Sequence, residues 1–408
     1  MLGLTLEGGG AKGAFHLGAV KALTEEGYAF DGITGTSIGA LNGALLAQGD
    51  FHKAYELWES MDNSLIFDIE DTYMQKFRDK KVDLQTLSYF SIKLKDILEQ
   101  KGLDTSRIRE LLKRVVDEEK LRSSPIDFGL VTVSISDLKP LELYKEDIPE
   151  GKMVDYLMAS ANFPAFKIEP LDGKYYVDGG FYDNCPVNLL IRKGYDKIFA
   201  VRTLGMGIKQ KVENPDVDLV YIIPSEDLGA ILNFDNQLIQ ANLKMGYYDT
   251  LRTLKGLWGK RYYLTPGEDE AVLTFLLSLP DEAIISLGRL LSVPPMEPKR
   301  MLFEKILPFL ADLLRLPPTA GYGHILTGLL EILADEMEMD RFRILTLGSM
   351  LEELMGQMEE KQIPPPPRTL APTPIKRLAS AFIKNNVLKD AARELTLHMK
   401  PSQFLITR

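Results

Sequence analysis

The sequence contains very little cysteine and histidine. Cys185 is the one cysteine among 408 residues, which excludes an internal disulfide framework and is typical of a reducing compartment. A lone cysteine of this kind usually packs as a small core residue, and we interpret Cys185 in this way. No two histidines are spaced as zinc ligands, so no metal site is predicted. The four histidines are His16, His52, His324 and His398.

Long apolar runs and an excess of positive charge are also missing. No run reaches the roughly 18 apolar residues of a membrane-spanning helix. The opening residues, MLGLTLEGGG, lack the basic and apolar regions of a secretory signal. The net charge of −10 argues against nucleic-acid binding, which usually requires a basic surface. We therefore expect a cytoplasmic protein without a nucleic-acid partner, and peripheral contact with the inner membrane surface stays open.

The order of the remaining segments predicts more than one domain. Strand-like and helix-like stretches alternate over about the first 255 residues, which indicates an α/β domain with a mainly parallel sheet covered on both faces. Later residues show apolar helical blocks without strand-like alternation, so this region is expected to be all-helical. The predicted divisions are an α/β domain at 1–258, a helical domain at 259–361, a proline-rich linker at 362–374 and a basic helical tail at 375–408.

One charged, helix-rich segment interrupts the α/β pattern. It runs from Asp50 to about Leu121 and contains helical periodicity at 92–98, with a polar, irregular stretch at 68–85. We interpret it as an insertion over one end of the sheet. Two roles stay open, as part of a lid over a site and as plain connecting structure.

A serine lies in the middle of a glycine-flanked turn. The pentapeptide Gly35-Thr36-Ser37-Ile38-Gly39 stands between an apolar lead-in and a helix-like run of Ala and Leu. A strand, a sharp turn and a helix in this order form a nucleophile elbow. Glycine is needed on both sides of the serine because the turn is tight, and the helix N-terminus directs partial positive charge at the serine. The pattern predicts Ser37 as a nucleophile.

A second glycine-rich loop precedes the first helix. Gly8, Gly10 and Gly13 spell G-x-G-x-x-G, and Asp31 follows 18 residues after Gly13. This spacing is compatible with a dinucleotide site in an oxidoreductase. It is equally typical of an oxyanion loop, in which glycine N–H groups face a developing negative charge. The elbow favours the oxyanion loop, because the second strand continues past Asp31 directly towards Ser37.

The scarcity of histidine bears on how the serine would be activated. No histidine follows the candidate acid in a glycine-flanked, elbow-like setting, so a serine-acid-histidine triad is disfavoured. Asp178 stands at a predicted strand end and is followed by Gly179 and Gly180, which allow close backbone approach. Burial would raise the pKa of this carboxyl above its usual value of about 3.9 and make it a better base. A Ser37–Asp178 dyad is therefore chemically workable, and a simple turn aspartate is the alternative.

Several blocks together resemble a known family. Their order and spacing are similar to those of the patatin-like phospholipases, lipid acyl hydrolases of bacteria and plants, over about residues 1–255. The blocks are GGGAKG (8–13), GTSIG (35–39), ASANFPAF (159–166), DGG (178–180) and DNCPV (183–187).

This resemblance implies a role for each matching position. Ser37 would be the nucleophile and Asp178 the base that activates it. It also implies a three-layer α/β/α fold, no metal and no organic cofactor. Lys12 stands where the family often has arginine, which replaces a planar fork by a point charge. The implied oxyanion hole consists of Gly8, Gly9 and Gly10. The implied supporting residues are Lys12, Gly13, Gly35, Gly39, Gly179 and Gly180.

The resemblance implies a serine acyl hydrolase of the phospholipase A or lysophospholipase type. Its partner would be a lipid or lysolipid ester, cleaved through an acyl-enzyme intermediate. Two alternatives stay open, a non-catalytic lipid- or partner-binding protein on the same fold and a general carboxylesterase of small soluble esters. The resemblance does not extend to the region after about residue 260, which is interpreted as a helical bundle core, a self-association surface or a lipid-facing cap. The basic tail could contact anionic headgroups.

Overall fold

The computed structural model describes residues 1–66, 102–167, 169–267, 269–363 and 381–404. The chain divides into two compact units, Met1–Leu251 and Arg252–Arg408. The division falls within a long helix, whereas the sequence pattern set the end of the α/β domain at residue 258. The predicted helical periodicity at 92–98, the polar stretch at 68–85 and most of the predicted proline-rich linker lie outside the described residues.

The first unit is built on a seven-stranded, mainly parallel sheet, as predicted. Its strand order is β4-β3-β2-β1-β6-β7, and β5 pairs with β3. Five strands run parallel to one another, while β4 and β5 are antiparallel to β3. The strands are β1 (Leu2–Leu6), β2 (Gly32–Thr36), β3 (Asp127–Ser134), β4 (Lys139–Tyr144), β5 (Tyr176–Asp178), β6 (Lys197–Val201) and β7 (Asp218–Ile222).

The central strands are covered on both faces. All five residues of β2 are buried, and only the first residue of β1 is partly accessible. Because successive strand residues point to opposite faces, burial of every residue means that both faces of the sheet are packed against other elements. The predicted α/β architecture is confirmed. The helices of this unit are α1 (Ala14–Glu25), α2 (Ile38–Ala47), α3 (Phe51–Glu59), α4 (Asn63–Ile66), α5 (Ser106–Val115), α6 (Glu118–Ser123), α7 (Met153–Ser160), α8 (Val187–Arg192) and α9 (Asn236–Lys255).

The second strand starts later than the sequence pattern indicates. The residues from about Tyr28 to Thr34 predict a strand that leads into the elbow, but β2 begins at Gly32. The intervening residues still belong to the end of α1, because the N–H of Tyr28 donates to the carbonyl of Leu23 at 2.9 Å. Gly27 adopts a φ of 88°, the left-handed conformation that commonly ends a helix at glycine. The apolar run from 28 therefore caps the helix before the strand begins.

The second unit is helical, as predicted, with one short strand pair. Its buried core is formed by apolar side chains between Tyr262 and Phe404. Strands β8 (Tyr263–Leu264) and β9 (Ile344–Leu345) pair in parallel. In the part of the chain that is described, no single helix is long and apolar enough to cross a membrane. One sharply bent pair of helices, Asp269–Ser278 with Asp281–Leu290, meets that condition together. The helices are α10 (Asp269–Ser278), α11 (Asp281–Leu290), α12 (Pro298–Met301), α13 (Leu307–Leu314), α14 (Tyr322–Glu336), α15 (Leu347–Glu360) and α16 (Ala381–Thr396).

Candidate active site

Ser37 occupies a strained turn between β2 and α2. Its φ of 57° and ψ of −128° lie in a region that residues other than glycine rarely adopt. Both flanking glycines are required by close backbone contacts. A Cβ at Gly35 would lie 2.3 Å from the carbonyl carbon of Gly39, and a Cβ at Gly39 would lie 2.1 Å from the carbonyl oxygen of Leu6. The serine side chain is thus presented at the carboxyl end of the sheet.

A buried hydroxyl holds the backbone of the turn. The N–H of Ser37 donates to Oγ of Ser160 at 3.0 Å, and that hydroxyl donates to the carbonyl of Val131 at 2.7 Å. Ser160 is fully buried at the end of α7. Sequence reasoning assigned no role to Ser160, although it lies within the ASANFPAF block. Its two partners explain its position: it ties the elbow to strand β3.

The sheet register explains why Asp178 lies beside the elbow. Strand β2 pairs with one edge of β3, and the last residue pair is Thr36 with Val131. Strand β4 pairs with the other edge of β3. Strand β5 therefore continues along the first edge, where Asp178 pairs with Thr132. Thr36 and Asp178 face successive residues of the same strand. Ser37 and Asp178, 141 positions apart in the chain, are brought together by this pairing.

The carboxyl of Asp178 is almost completely buried. Burial raises the pKa of this group to about 6, and hydrogen bonds from the side chain of Ser37 and the N–H of Gly180 oppose the shift. The Gly180 N–H lies 2.8 Å from Oδ1. Gly179 is needed for packing, since a Cβ there would lie 2.2 Å from the carbonyl oxygen of Val131. A carboxylate with this pKa is ionised at neutral pH and is a stronger base than a free aspartate.

The glycine loop offers fewer free donors than the three that the resemblance implied. The N–H of Gly8 already donates to the carbonyl of Asn184 at 2.9 Å, so it is not available to an oxyanion. Within the described residues, the N–H groups of Gly9 and Gly10 have no hydrogen-bond partner. Both glycines border the same cavity as Ser37. The number of available donors in this loop is therefore two, because the first one is used to fix the loop.

The other supporting positions of the loop also have structural roles. The N–H of Lys12 donates to the carbonyl of Gly9 at 3.3 Å, and its Nζ lies 3.8 Å from Asp227. Gly13 packs against the start of α2, where a Cβ would lie 2.5 Å from Cγ1 of Ile38. Lys12 and Gly13 therefore hold the loop in place through its backbone and its packing.

Asp31 lies at the opposite end of the sheet from the glycine loop. The loop follows the carboxyl end of β1, whereas Asp31 precedes β2. Its carboxylate accepts the N–H of Leu2 at 2.8 Å and so joins the amino ends of the two parallel strands. A dinucleotide site requires its acidic residue at the carboxyl edge. The position of Asp31 supports the oxyanion interpretation of the loop.

Ser37 and Asp178 open onto an apolar cavity of about 490 Å³. Two helices each contribute four of the described residues that line it. The lining positions on each are spaced i, i+3, i+4 and i+7, so each helix turns one continuous stripe towards the cavity. The stripe of α2 consists of Ile38, Leu41, Asn42 and Leu45, and that of α5 consists of Ile108, Leu111, Leu112 and Val115. Helix α5 belongs to the segment interpreted as an insertion, and it forms part of the cavity wall.

Histidine does not contribute to the cavity. None lines it in the described part of the chain. His16 lies behind the glycine loop, with Nδ1 3.2 Å from Nδ2 of Asn42. Complete burial lowers the pKa of His16 to about 3, so its imidazole is neutral at physiological pH. His52 is exposed on α3. The proton acceptor that the Ser37 side chain contacts is therefore the carboxylate of Asp178.

Comparison with known proteins finds a family model that matches part of the chain. Residues 4–191 match the family model described as patatin-like phospholipase. Lysophospholipase nte1 of Aspergillus terreus is 30% identical over 207 residues, a match that covers 49% of this chain and 12% of the relative. Patatin-like phospholipase domain-containing protein 6 of Mus musculus is 26% identical over 208 residues, covering 49% and 13%. The chain thus corresponds to a small part of these curated relatives.

Two solved structures also have some similarity to the chain. The crystal structure of VipD from Legionella pneumophila matches with a TM-score of 0.40 and 16% identity, covering 97% of this chain and 91% of that chain. The heterodimeric ExoU-SpcU complex from the type III secretion system of Pseudomonas aeruginosa matches with a TM-score of 0.29 and 17% identity, covering 89% and 75%.

Proposed function

Because residues 4–191 match the patatin-like phospholipase family model, we propose that the chain is a serine acyl hydrolase that cleaves the carboxylic ester of a phospholipid or lysophospholipid. One observation carries the proposal: Ser37 at a strained turn and the buried carboxyl of Asp178 border the same apolar cavity. Ester hydrolysis requires a nucleophile, a proton acceptor and an apolar space for the acyl chain.

In the first half of the reaction, an acyl group is transferred to the enzyme. The hydroxyl of Ser37 gives its proton to the carboxylate of Asp178 while its oxygen attacks the ester carbonyl. The free N–H groups of Gly9 and Gly10 stabilise the negative charge on the carbonyl oxygen. The N–H of Ile38, the first residue of α2, has no acceptor within its own helix and can add a third donor. The departing alcohol takes the proton from Asp178, and the acyl group stays on Ser37.

In the second half, water releases the acyl group. Asp178 accepts a proton from a water molecule as the water oxygen attacks the acyl carbon, and the same N–H groups stabilise the second oxyanion. When the intermediate collapses, the fatty acid leaves and the proton returns from Asp178 to the oxygen of Ser37. A base whose pKa lies near 6 suits this exchange, because it is ionised at neutral pH and still accepts a proton readily.

Hydrolysis of a chromogenic ester by the purified full chain tests the proposal. We expect Ser37→Ala to reduce kcat/KM by at least about a thousandfold, since the nucleophile is lost. We expect Asp178→Asn to reduce it by about a hundredfold to ten-thousandfold, since general base catalysis is lost. Equal rates for wild type and both variants would refute the dyad.

A second buried aspartate provides the matched control. Asp183 is 1% exposed and accepts the N–H of Cys185, but it does not border the cavity. Asp183→Asn keeps an oxygen that accepts this bond, so we expect its activity to stay within severalfold of wild type. A fluorophosphonate probe should also label wild type and not Ser37→Ala. Absence of any adduct on the wild type would favour the non-catalytic alternative.

The apolar cavity favours a long acyl chain over a small soluble ester. A series of esters that differ only in acyl length separates the two substrate classes. We expect kcat/KM to rise with chain length as the cavity fills, by roughly threefold to fourfold per buried methylene at the most favourable. A maximum at the shortest ester would instead support a general carboxylesterase.

A further inference from the structure

Apolar side chains that would normally be buried stand exposed beside the cavity opening. Met206 is 75% exposed, Ile208 55%, and both Leu204 and Phe181 52%. Three of them, Phe181, Met206 and Ile208, also line the cavity. We name these four residues the apolar rim. Single exposed apolar residues are common, but a group at the opening of a binding site marks an interaction surface.

The segment that carries most of the rim is fixed at both ends. At one end, the carboxylate of Glu7 accepts the N–H groups of Thr203 and Leu204 at 2.8 and 2.9 Å. At the other end, the N–H of Ile208 donates to the carbonyl of Gly180 at 2.8 Å. Only the short tip around Met206 lies between these anchors. The exposed side chains are therefore presented by a held backbone, and the anchors are attached to the glycine loop and to the segment after Asp178.

The backbone at the rim is strained at Leu204. Its φ of 51° is a left-handed conformation that disfavours leucine and that glycine or asparagine would adopt more easily. Leu138 is also exposed with a left-handed φ, but it lies away from the cavity lining. The position of Leu204 beside the other rim residues, and not its strain, therefore assigns it to the rim.

The charges that follow the rim are basic. Lys209 and Lys211 come directly after it and are exposed. Lys209 has Glu7 at 3.8 Å, whereas no carboxylate lies within ion-pair distance of Lys211 in the described residues. The nearby Glu213 is already paired with Arg192 at 2.6 Å. Apolar side chains flanked by unneutralised lysine fit an anionic lipid surface, although the whole chain carries a net charge of −10.

We infer that the apolar rim is the surface by which the protein contacts a lipid bilayer, with its lysines against anionic headgroups. The inference rests on the proposed function, since it assigns the source of the substrate for the same site. A rim inserted among the acyl chains would place the cavity opening at the depth of the ester bonds. A lipid could then enter the cavity without crossing water, which the rim side chains would exclude.

Flotation of the full chain with vesicles tests this surface without any chemistry. The vesicles contain phosphatidylcholine alone or phosphatidylcholine mixed with phosphatidylglycerol. We expect wild type and Ser37→Ala to bind equally and more strongly to the mixed vesicles. Met206→Asp should weaken partitioning roughly tenfold or more, the value of one buried apolar side chain. Lys211→Glu should remove most of the gain from phosphatidylglycerol and leave binding to phosphatidylcholine unchanged.

A pair of leucines in matched conformations gives the control. Leu138 has a φ of 53° and is 87% exposed on the turn between β3 and β4, away from the cavity lining. Leu204→Asn should weaken vesicle binding severalfold, whereas Leu138→Asn should not. Leu138 lies outside both the rim and the cavity lining, so Leu138→Asn should also hydrolyse a soluble ester like wild type.

The outcomes separate this inference from the proposed function. If Leu204→Asn and Met206→Asp float with vesicles as wild type does, or if wild type does not float, the lipid-surface inference is overturned. If these changes instead abolish concentration-dependent self-association of the free protein, the rim is a protein contact and the inference is also wrong. If the wild type hydrolyses no ester yet binds vesicles through the rim, the proposed function fails and the binding surface stands.

Discussion

Two opposing requirements meet at Asp178. Its carboxyl must be close to Ser37 and shielded from water, and this burial raises its pKa to about 6. Only the ionised carboxylate can accept a proton. Each pH unit below the pKa therefore lowers the fraction of molecules with an ionised Asp178 about tenfold. We expect kcat/KM for a soluble ester to be level above about pH 7 and to fall roughly tenfold per unit below about pH 6. A pH profile in which the rate stays constant down to about pH 4.5 would contradict this assignment.

The same rise in the pKa of Asp178 means that its ionised carboxylate should lower the free energy of unfolding. A carboxyl whose folded pKa lies above its unfolded value adds stability below about pH 4, and this contribution is lost as pH rises through about 6. Asp178→Asn keeps an acceptor for Gly180 and removes the buried charge. We therefore expect this variant to be more stable than wild type near pH 8, by at most about 3 kcal/mol.

Urea unfolding at two pH values measures this difference. Near pH 4 the gain of Asp178→Asn should largely disappear, because the wild-type carboxyl is then protonated in the folded protein. Urea unfolding of Asp183→Asn at the same two pH values provides the comparison at a second buried aspartate. If Asp178→Asn is less stable than wild type near pH 8, the hydrogen bonds to the ionised carboxylate stabilise the folded protein by more than the burial of its charge destabilises it.

Ser160 should affect the rate through the position of the nucleophile. Ser160→Ala leaves the N–H of Ser37 without an acceptor, and an unsatisfied buried N–H costs about 1–3 kcal/mol. We expect kcat to fall roughly tenfold or more while KM changes little, because the cavity is untouched. Ser160→Thr retains a hydroxyl and should recover most of the rate. Loss of activity in both variants with a raised KM would indicate a general packing defect.

The sequence predicts some of these residues better than others. Ser37 is recognisable because the glycines that its turn requires are within two positions of it. Ser160 is not, because its partners are 123 and 29 positions away and depend on sheet register. The N–H of Gly8 is a second example of what the sequence cannot predict. Three consecutive glycines suggest three equivalent donors, and only the fold reveals that the N–H of Gly8 already donates to the carbonyl of Asn184.

At the scale of elements, strand pairing brings together Ser37 and Asp178, the proposed dyad. The alternating strand and helix pattern was sufficient to predict the parallel sheet and the strand that ends at Asp178. It could not predict that this strand would extend the edge of β3 beyond β2, since a three-residue strand has no local signal for its partner. The sequence also did not predict that α5 forms part of the cavity wall. This helix lies in a charged segment, and its apolar stripe is recognised as a cavity wall only once the fold shows that it lines the same cavity as α2.

The stripe of α5 should determine how the cavity accommodates acyl chains. Ile108 is half-buried and lines the cavity, and Ile108→Trp would fill part of the cavity with a larger side chain. We expect kcat/KM for long-chain esters to fall about tenfold or more, with little change for the shortest ester. Lys113→Trp adds the same side chain on the exposed side of α5 and should leave both rates unchanged.

Chain-length profiles of both tryptophan variants provide the measurement. The ratio of long-chain to short-chain kcat/KM should change in Ile108→Trp alone. A uniform decrease for all esters would mean that the tryptophan disturbs the dyad. Equal profiles in the two variants would show that α5 does not contact the acyl chain.

At the scale of the whole chain, the candidate site is confined to one compact unit. Among the residues that the structure describes, all those that line the cavity lie between Gly9 and Phe234, within Met1–Leu251. The second unit has a separate apolar core and its own buried polar centre. There, Glu331 on α14 accepts the N–H groups of Lys260, Arg261 and Tyr262 at 2.7 to 2.8 Å. Stability and catalysis should therefore respond separately to changes in the two units.

Glu331→Ala tests this separation. The change leaves three N–H groups without their acceptor, and we expect it to destabilise the second unit by on the order of 3–5 kcal/mol. Ester hydrolysis at a temperature where the chain is still folded should be unchanged, since the dyad and the cavity are in the first unit. Glu352→Ala, at an exposed position of α15, should alter neither property. Denaturant unfolding and ester kinetics on the same samples provide the measurement. If Glu331→Ala reduced kcat/KM without lowering the unfolding midpoint, catalysis would depend on the second unit in a way that the cavity lining does not reveal.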